Sequence, residues 1–250
     1  MNGRPRTVAS IEARMGSSRL PGKVLMDVCG KPALTRLLER LRAVPNLDDV
    51  VLATTDRPAD DPLARWAGEA GVLCYRGSED DVLDRVVQAQ LSAGGEIVVE
   101  VTGDCTLLCP DVIELGIETW FANRCDVVSN CGAVQTWPQG ADVQVFPLAR
   151  LKQVADTVSD PAVREHVSLY FYEHPERYSV HYLVAPPAWR EPAWRWQLDY
   201  AEDLEFLRTV YAAMEPVHGP VFGIAETMAY LRANPHVVAI NAHCEEKAAR

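Results

Sequence analysis

The sequence predicts an α/β fold: a mostly parallel central sheet covered by helices, with a mixed-sheet arm in the second half. Two observations predict it. Between residues 8 and 129, short apolar runs alternate with helix-spaced apolar stripes, joined by short links. Parallel strands need such crossovers, and the helices then cover both faces of the sheet. The right-handed crossover rule leaves few topologies. In addition, the 250 residues are 48% apolar and 24% charged, the balance of a folded chain. A chain of this length buries roughly three-quarters of its unfolded surface and needs no disulfide or metal staple.

Residues 8–11 are the first strand, ending in a polar loop that contains glycine. Leu34, Leu37, Leu38 and Leu41 recur at i, i+3, i+4 and i+7, a helix stripe. Residues 50–54 read as the next strand. Leu63, Trp66, Ala67 and Ala70 form a second stripe, with Pro62 in the first turn and Gly71 past the end. Residues 72–75 are strand three. Val82, Leu83, Val86, Val87 and Gln90 make a third helix, closed by Gly94 and Gly95. Residues 97–101 are strand four, 110–121 a helix and 126–129 strand five. In the second half, residues 132–147 carry turn signals and short alternating runs. A helix is expected at about 161–173, with Val163, Val167, Tyr170 and Phe171 on one face. Strands at 178–184 and 194–198 flank the proline-rich APPAWREP. Helices at 201–214 and 224–233 follow, with an apolar finish at 237–240.

With 35 acidic and 24 basic side chains, the net charge is −11. That argues against a nucleic-acid duplex or an anionic membrane as partner. Residues 1–7 are polar and basic, no secretory h-region follows them, and no run approaches about 18 apolar residues. A cytoplasmic protein is expected. Seven cysteines form no C-x-x-C pair. This disfavours a zinc ribbon, a thioredoxin-like site and a disulfide framework, and favours buried thiols.

The loop after the first strand, EARMGSSRLPGKV, places Arg14, Arg19 and Lys23 among Gly16, Ser17, Ser18 and Gly22. In an acidic protein this is a local reversal of sign. Glycines let backbone N–H groups approach an anion, and three cations suit a triphosphate. The loop is neither a P-loop nor a G-x-G-x-x-G. In an open sheet of order 3-2-1-4, strands one and four meet at the switch point, where ligands bind. Asp104, leaving strand four, then faces the basic loop. A carboxylate beside a polyphosphate suggests Mg²⁺.

EARMGSSRLPGKVL resembles the signature loop of the SpsF-type cytidylyltransferases of spore-coat polysaccharide synthesis, relatives of the 3-deoxy-manno-octulosonate and acylneuraminate cytidylyltransferases. The resemblance continues through CGKPAL, VLATTD, RGSEDDVLDR, VTGDC, VSN, TWPQGADVQVF, REHVSLY, YEHPERY, QLDYAEDL and INAHCEEK. It implies one nucleotidyltransferase domain over residues 1–250, with a GT-A-like Rossmann fold. Within it, about 132–196 would be an acceptor-binding and dimerisation arm, so a homodimer is implied. It also implies transfer of CMP from CTP to a small acidic sugar-type acceptor, with release of pyrophosphate and dependence on Mg²⁺. Arg14, Arg19 and Lys23 would hold the triphosphate, Asp104 and Asp199 the metal, and Arg76 and Ser78 would lie where the base is read. The pattern departs at Glu12 (glutamine in the family), Glu100 (arginine), Thr106 (proline), Cys109 (aspartate), Ala141 (leucine) and Gln144 (glutamate).

The expected chemistry is in-line attack of an acceptor oxygen on the α-phosphorus, with Arg14, Lys23 and Asp104 as catalytic residues. Arg164, Glu165 and His166 are expected at the acceptor pocket; His166 as a general base is an alternative to lining that pocket or a subunit contact. Asp80, Asp81 and Asp84 read as helix-start acids. Asp203 is either a capping acid or a partner of Asp199. Trp189, Trp194, Trp196, Tyr170, Phe171 and Tyr172 are expected to pack the arm or an interface. Two other functions remain open: a GT-A glycosyltransferase using a nucleotide sugar, and a nucleotide-binding protein that has lost catalysis. The first commonly carries D-x-D, whereas Asp104 is followed by Cys105 and Thr106.

Overall fold

The first apolar run folds as β1 (Thr7–Glu12). A small hairpin follows, β2 (Asp27–Val28) with β3 (Lys31–Pro32), and then α1 (Ala33–Leu41), β4 (Asp49–Thr55), α2 (Asp61–Ala70) and β5 (Leu73–Gly77). Next come α3 (Val82–Ala93), β6 (Ile97–Thr102), α4 (Pro110–Asn123) and β7 (Val127–Ser129). The second half comprises β8 (Gln144–Pro147), α5 (Leu148–Thr157), α6 (Pro161–Glu165), α7 (Leu169–Glu173), β9 (Val180–Tyr182), α8 (Ala201–His218), α9 (Ile224–Ala233) and α10 (Pro235–Val238). The computed structural model describes residues 3–132 and 135–245. Two residues of the turn-rich 132–147 segment, the first two of the basic start and the end of the INAHCEEK run lie outside the described residues.

Seven strands form one sheet in the order β5-β4-β1-β6-β8-β7-β9. The first four are parallel, in the predicted order 3-2-1-4. β8 runs antiparallel to β6 and to β7, and β9 is parallel to β7, so the second half does form a mixed sheet. The chain leaves β1 toward β4 on one side and returns through α3 to β6 on the other. The switch point therefore lies between β1 and β6. Ala9, Ile11, Leu52, Val99 and Val101 face one core with the α1 leucines; Val8, Val51, Val98 and Phe146 face a second core with α3 and α5. Each fully buried aliphatic side chain contributes roughly 1.5–3 kcal/mol. Local signals set the ends: the Asp81 carboxylate accepts from Asp84 N at the start of α3, and Gly94 (φ 67°) closes it.

Several expectations needed correction. The helix at 161–173 is two short helices, because His166 adopts an extended conformation (φ −117°, ψ 97°). Val163, Val167 and Phe171 are nevertheless all buried; the core satisfies the stripe without a continuous helix. Residues 194–198 form no strand, only a bridge from Arg195 to Gln139. Both Arg195 and Trp196 are buried there, so the segment is enclosed rather than laid on one face. The finish at 237–240 overlaps α10. Helix α5 was not expected, although Leu148, Leu151, Val154 and Ala155 form its buried stripe. The aromatic residues divide between the two cores: Trp196 is in the first, Phe171 in the second. All seven cysteines are free; Cys105 and Cys109 are buried, the other five half-buried. No helix among the described residues is long and apolar enough to cross a membrane.

Gly103 marks where the loops leaving β1 and β6 touch. Its N–H donates to Glu12 O at 2.8 Å. A Cβ there would lie 2.9 Å from Ala13 Cβ and 3.0 Å from Glu12 O. Gly103→Ala is expected to lower unfolding free energy by about 1–3 kcal/mol, read as a lower urea midpoint at unchanged slope.

Candidate active site

The basic loop folds back on itself at the carboxyl end of β1. Met15 O accepts from Ser17 N and Gly22 N, and Met15 N donates to Asp60 Oδ1 at 2.6 Å. Gly16 and Ser18 are exposed and Ser17 half-buried. Each loop cation meets a carboxylate. Arg14 reaches Glu79 Oε1 at 3.2 Å, and Arg19 reaches Asp199 Oδ1 at 2.7 Å. Lys23 Nζ bridges Asp104 Oδ2 at 2.7 Å and Asp199 Oδ1 at 2.8 Å. Asp104 Oδ1 accepts from the Thr102 hydroxyl, and Asp104 O accepts from Leu198 N. The switch point thus gathers residues from three distant parts of the chain.

A buried scaffold aims Asp199. Arg195 donates to Asp199 Oδ2 at 2.7 Å and to Asp203 Oδ1 at 3.0 Å. Asp203 Oδ2 accepts from the backbone N–H groups of Asp199 and Tyr200, which starts α8. Asn241 donates to Asp203 Oδ1 and to Arg195 O. Asp203 is therefore both a capping acid and a partner of the group that holds Asp199. Burial alone would raise the Asp199 carboxyl, but Lys23, Arg19 and Arg195 outweigh it and hold its pKa below the ordinary value. Burial likewise opposes the Lys23 ammonium, yet Asp104 and Asp199 raise its pKa above the ordinary value. Asp199 thus contributes stability at neutral pH that is lost as pH falls through the acid range; the Lys23 contribution is lost only above its ordinary 10.5.

The other predicted residues are engaged elsewhere. Arg76 donates to Thr55 O and Arg57 O and pairs with Asp61, tying β5 to the loop after β4. Ser78 Oγ accepts from Asp80 N and Asp81 N. Arg164 donates to Val158 O and Ala155 O and pairs with Asp81. Glu165 is exposed and His166 half-buried at the end of α6. None of these five side chains joins the Lys23–Asp104–Asp199 contact. Arg195, Asp60, Glu79 and Arg57 were missed. Glu79 holds Arg57 as well as Arg14. Their recruitment is long-range, and no local spacing announces it.

The model of the family described as cytidylyltransferase matches residues 8–233. This chain belongs to the cytidylyltransferase family. It is 31% identical to the spore coat polysaccharide biosynthesis protein SpsF of Bacillus subtilis, over 90% of this chain and 93% of that one. The structure of a cytidylyltransferase from Leptospira borgpetersenii superposes with a TM-score of 0.88 at 26% identity, covering 98% of this chain and all of that one. A CMP-2-keto-3-deoxy-manno-octonic acid synthetase complexed with CTP shares the fold, with a TM-score of 0.62 at 19% identity, over 83% of this chain and 98% of that one. The architecture is thus a Rossmann-like nucleotidyltransferase fold.

Within this cytidylyltransferase the departures from the family pattern separate in space. Thr106, Cys109 and Ala141 are buried. Cys109 is the N-cap of α4, where its thiol makes no cap hydrogen bond. Burial pushes that thiol up to about 11. Glu12, Glu100 and Gln144 instead stand on the sheet itself. Burial pushes the Glu12 carboxyl up to about 8; Arg85 opposes this and Asp104 adds to it.

Two predictions follow from these contacts. Arg195→Met leaves Asp199 and Asp203 buried without their guanidinium and is expected to cost about 3–5 kcal/mol in chemical denaturation. Glu12 binds its proton more tightly when folded, so its contribution to stability is full below its ordinary 4.5 and is lost as pH rises to about 8. Glu12→Gln is expected to flatten the fall in Tm across that window, measured by thermal melts at a series of pH values.

Proposed function

We propose that this chain transfers CMP from CTP to a sugar-type acceptor whose reacting end is acidic, releasing pyrophosphate, with Mg²⁺ as cofactor. The observation that carries this is the convergence of Asp104 and Asp199 on one cation, Lys23 Nζ, beside a loop bearing Arg14 and Arg19. Family membership supports it, as do a relative named for polysaccharide synthesis and a solved neighbour complexed with CTP.

Two hard carboxylate oxygens aimed at one cation fit Mg²⁺, which is commonly held by one or two carboxylates plus phosphate oxygens and water. Among the described residues no group of three or more His, Cys, Asp and Glu side chains gathers as a metal site. Substrate phosphates and water would therefore complete the shell. When bound, Mg²⁺ supplies positive charge to the phosphate oxygens.

The chain's own residues do the rest. Lys23 exchanges its two carboxylates for phosphate oxygens, and Arg14 exchanges Glu79 for them. Both then neutralise charge on the departing pyrophosphate. Arg195 and Asp203 keep Asp199 in place through this exchange. The Asp104 carboxylate is steadied by the Thr102 hydroxyl. We also read residues 132–196 as the arm that binds acceptor and a second copy; Tyr182 on the edge strand β9 and Val184 just beyond it are exposed there.

The test is pyrophosphate release from CTP, with Mg²⁺, against a panel of sugar acids and sugar phosphates. Lys23→Ala is expected to lower turnover at least tenfold, the loss of about 2–4 kcal/mol of barrier stabilisation. Asp104→Ala and chelation of Mg²⁺ should abolish it. Release of nucleoside diphosphate from a nucleotide sugar would replace this function with glycosyl transfer. CTP binding without any turnover would leave a binding protein.

A further inference from the structure

A polar row crosses one face of the sheet just below the site. The register pairs Ser10 with Glu100, Glu100 with Gln144, and Gln144 with Ser129, across β1, β6, β8 and β7. Paired side chains share a face, and two residues along each strand return to that face. The preceding row, Val8, Val98 and Phe146, is wholly apolar core. The following positions are Glu12 and Thr102, and Thr102 holds Asp104. Glu100 lies two residues, about 7 Å of strand, from Thr102. That is the span of one sugar ring beside the reacting centre.

The row is chemically incomplete. Glu100 is 8% exposed, and its Oε2 has no hydrogen-bond partner; Glu12 Oε1 and Ser10 Oγ are likewise buried without one. Burial pushes the Glu100 carboxyl up, and the acids Glu12 and Asp142 push it further. Arg85 faces Glu12 and donates to the carbonyls of Ser78 and Glu79. Glu12 and Glu100 each keep a buried carboxylate oxygen without a hydrogen-bond partner, and of the two Arg85 acts on Glu12 alone. Beside them stand neutral groups: Tyr172 OH contacts Ser129 Oγ at 2.7 Å and donates to Gln144 Oε1 at 3.0 Å.

We propose that the acceptor carries a protonated amine, and that Glu100, with Glu12 beside it, receives that amine on the polar row. The acceptor is then an amino sugar with an acidic reacting end, such as an amino-sugar phosphate. This rests on the transferase function proposed above. An ammonium offsets the excess of acid and gives the orphaned Glu100 Oε2 a donor. A ligand hydroxyl would leave these raised carboxyls in their protonated form, whereas an ammonium favours their ionised form and pairs with it; a ligand carboxylate would disfavour ionisation further. Tyr172 and Gln144, both only half-buried, are suited to the sugar hydroxyls. The anionic end then faces the reacting centre beside Asp104, which Thr102 holds on the same face.

The experiment is calorimetric binding to the protein saturated with CTP and Mg²⁺, with pyrophosphate release followed in parallel. The probes are hexose phosphates in matched sets that bear, at one ring carbon, a free amine, a hydroxyl, an acetamide or a carboxylate. At least one amine is expected to bind tenfold more tightly than its hydroxyl counterpart, and the matching carboxylate more weakly than either. Glu100→Gln, checked for an unchanged melting profile, should lower the affinity for that amine at least tenfold. Gln144→Glu, which adds an acid to the row, should raise it, and decides the matter if Glu100→Gln does not fold. If no amine binds more tightly than its hydroxyl counterpart, the inference is overturned. Pyrophosphate release with a hydroxyl or carboxylate probe alone would overturn it while leaving the transferase function intact. Failure to bind CTP would remove the transferase function first.

Discussion

One ammonium group joins the parts of this fold that have to meet. Lys23 Nζ lies between Asp104 and Asp199, and so connects the loop after β1, the loop after β6 and the segment that enters α8. Removing such a cation would leave two carboxylates facing one another in a half-buried place, which is costly at the low effective dielectric there. The contact is therefore a structural fastener in the free protein. It is also the pattern of charge that a metal and a polyphosphate would use, with the positions of cation and anion exchanged. The same holds for Arg14 on Glu79 and for Arg19 on Asp199.

That fastener depends on a second, more deeply buried arrangement. Arg195, Asp203 and Asn241 hold Asp199 through side-chain and backbone hydrogen bonds, and Asp203 also starts α8. Helix formation and site geometry are thereby linked: the acid that holds the backbone N–H groups of Asp199 and Tyr200 at the entry to α8 also fixes the guanidinium that aims Asp199. Two other buried arginines act in a similar way. Arg36 donates to Val28 O and Cys29 O and pairs with Glu215, while Arg40 donates to Leu108 O and Phe222 O. They fix α1 to the β2 turn, the β6–α4 link and the C-terminal helices.

The sheet separates stability from chemistry by row. Where β1, β6 and β8 carry Val8, Val98 and Phe146, both faces are core; one row nearer the switch point, Ser10, Glu100 and Gln144 replace them. A strand has no means of softening this change, because its period of two returns each side chain to the same face. The buried carboxyls are thus the direct consequence of continuing the strands to the switch point. Departures from the family pattern at residues 12, 100 and 144 fall on this polar face, whereas those at 106, 109 and 141 are absorbed by packing.

The sequence by itself determined the parallel half of the sheet, its helices and their caps, because apolar periodicity, Pro62, Gly71 and Asp81 act within a few residues of themselves. It also determined the reversal of charge at Arg14, Arg19 and Lys23 and the place of Asp104 opposite them, since strand order follows from the alternation of elements. It misjudged residues 161–173 and 194–198, where burial on more than one side overrides a local period. Only the tertiary structure decided which acid each cation meets. Lys23 and Asp199 are remote in the chain, as are Arg14 and Glu79, and nothing local to either member specifies the other. It also decided that Arg76 and Arg164 give their donors to nearby carbonyls and acids, and that Glu100 stands beside Gln144. Those pairings are set by register and by the closure of distant segments, and register is a property of two strands rather than of one.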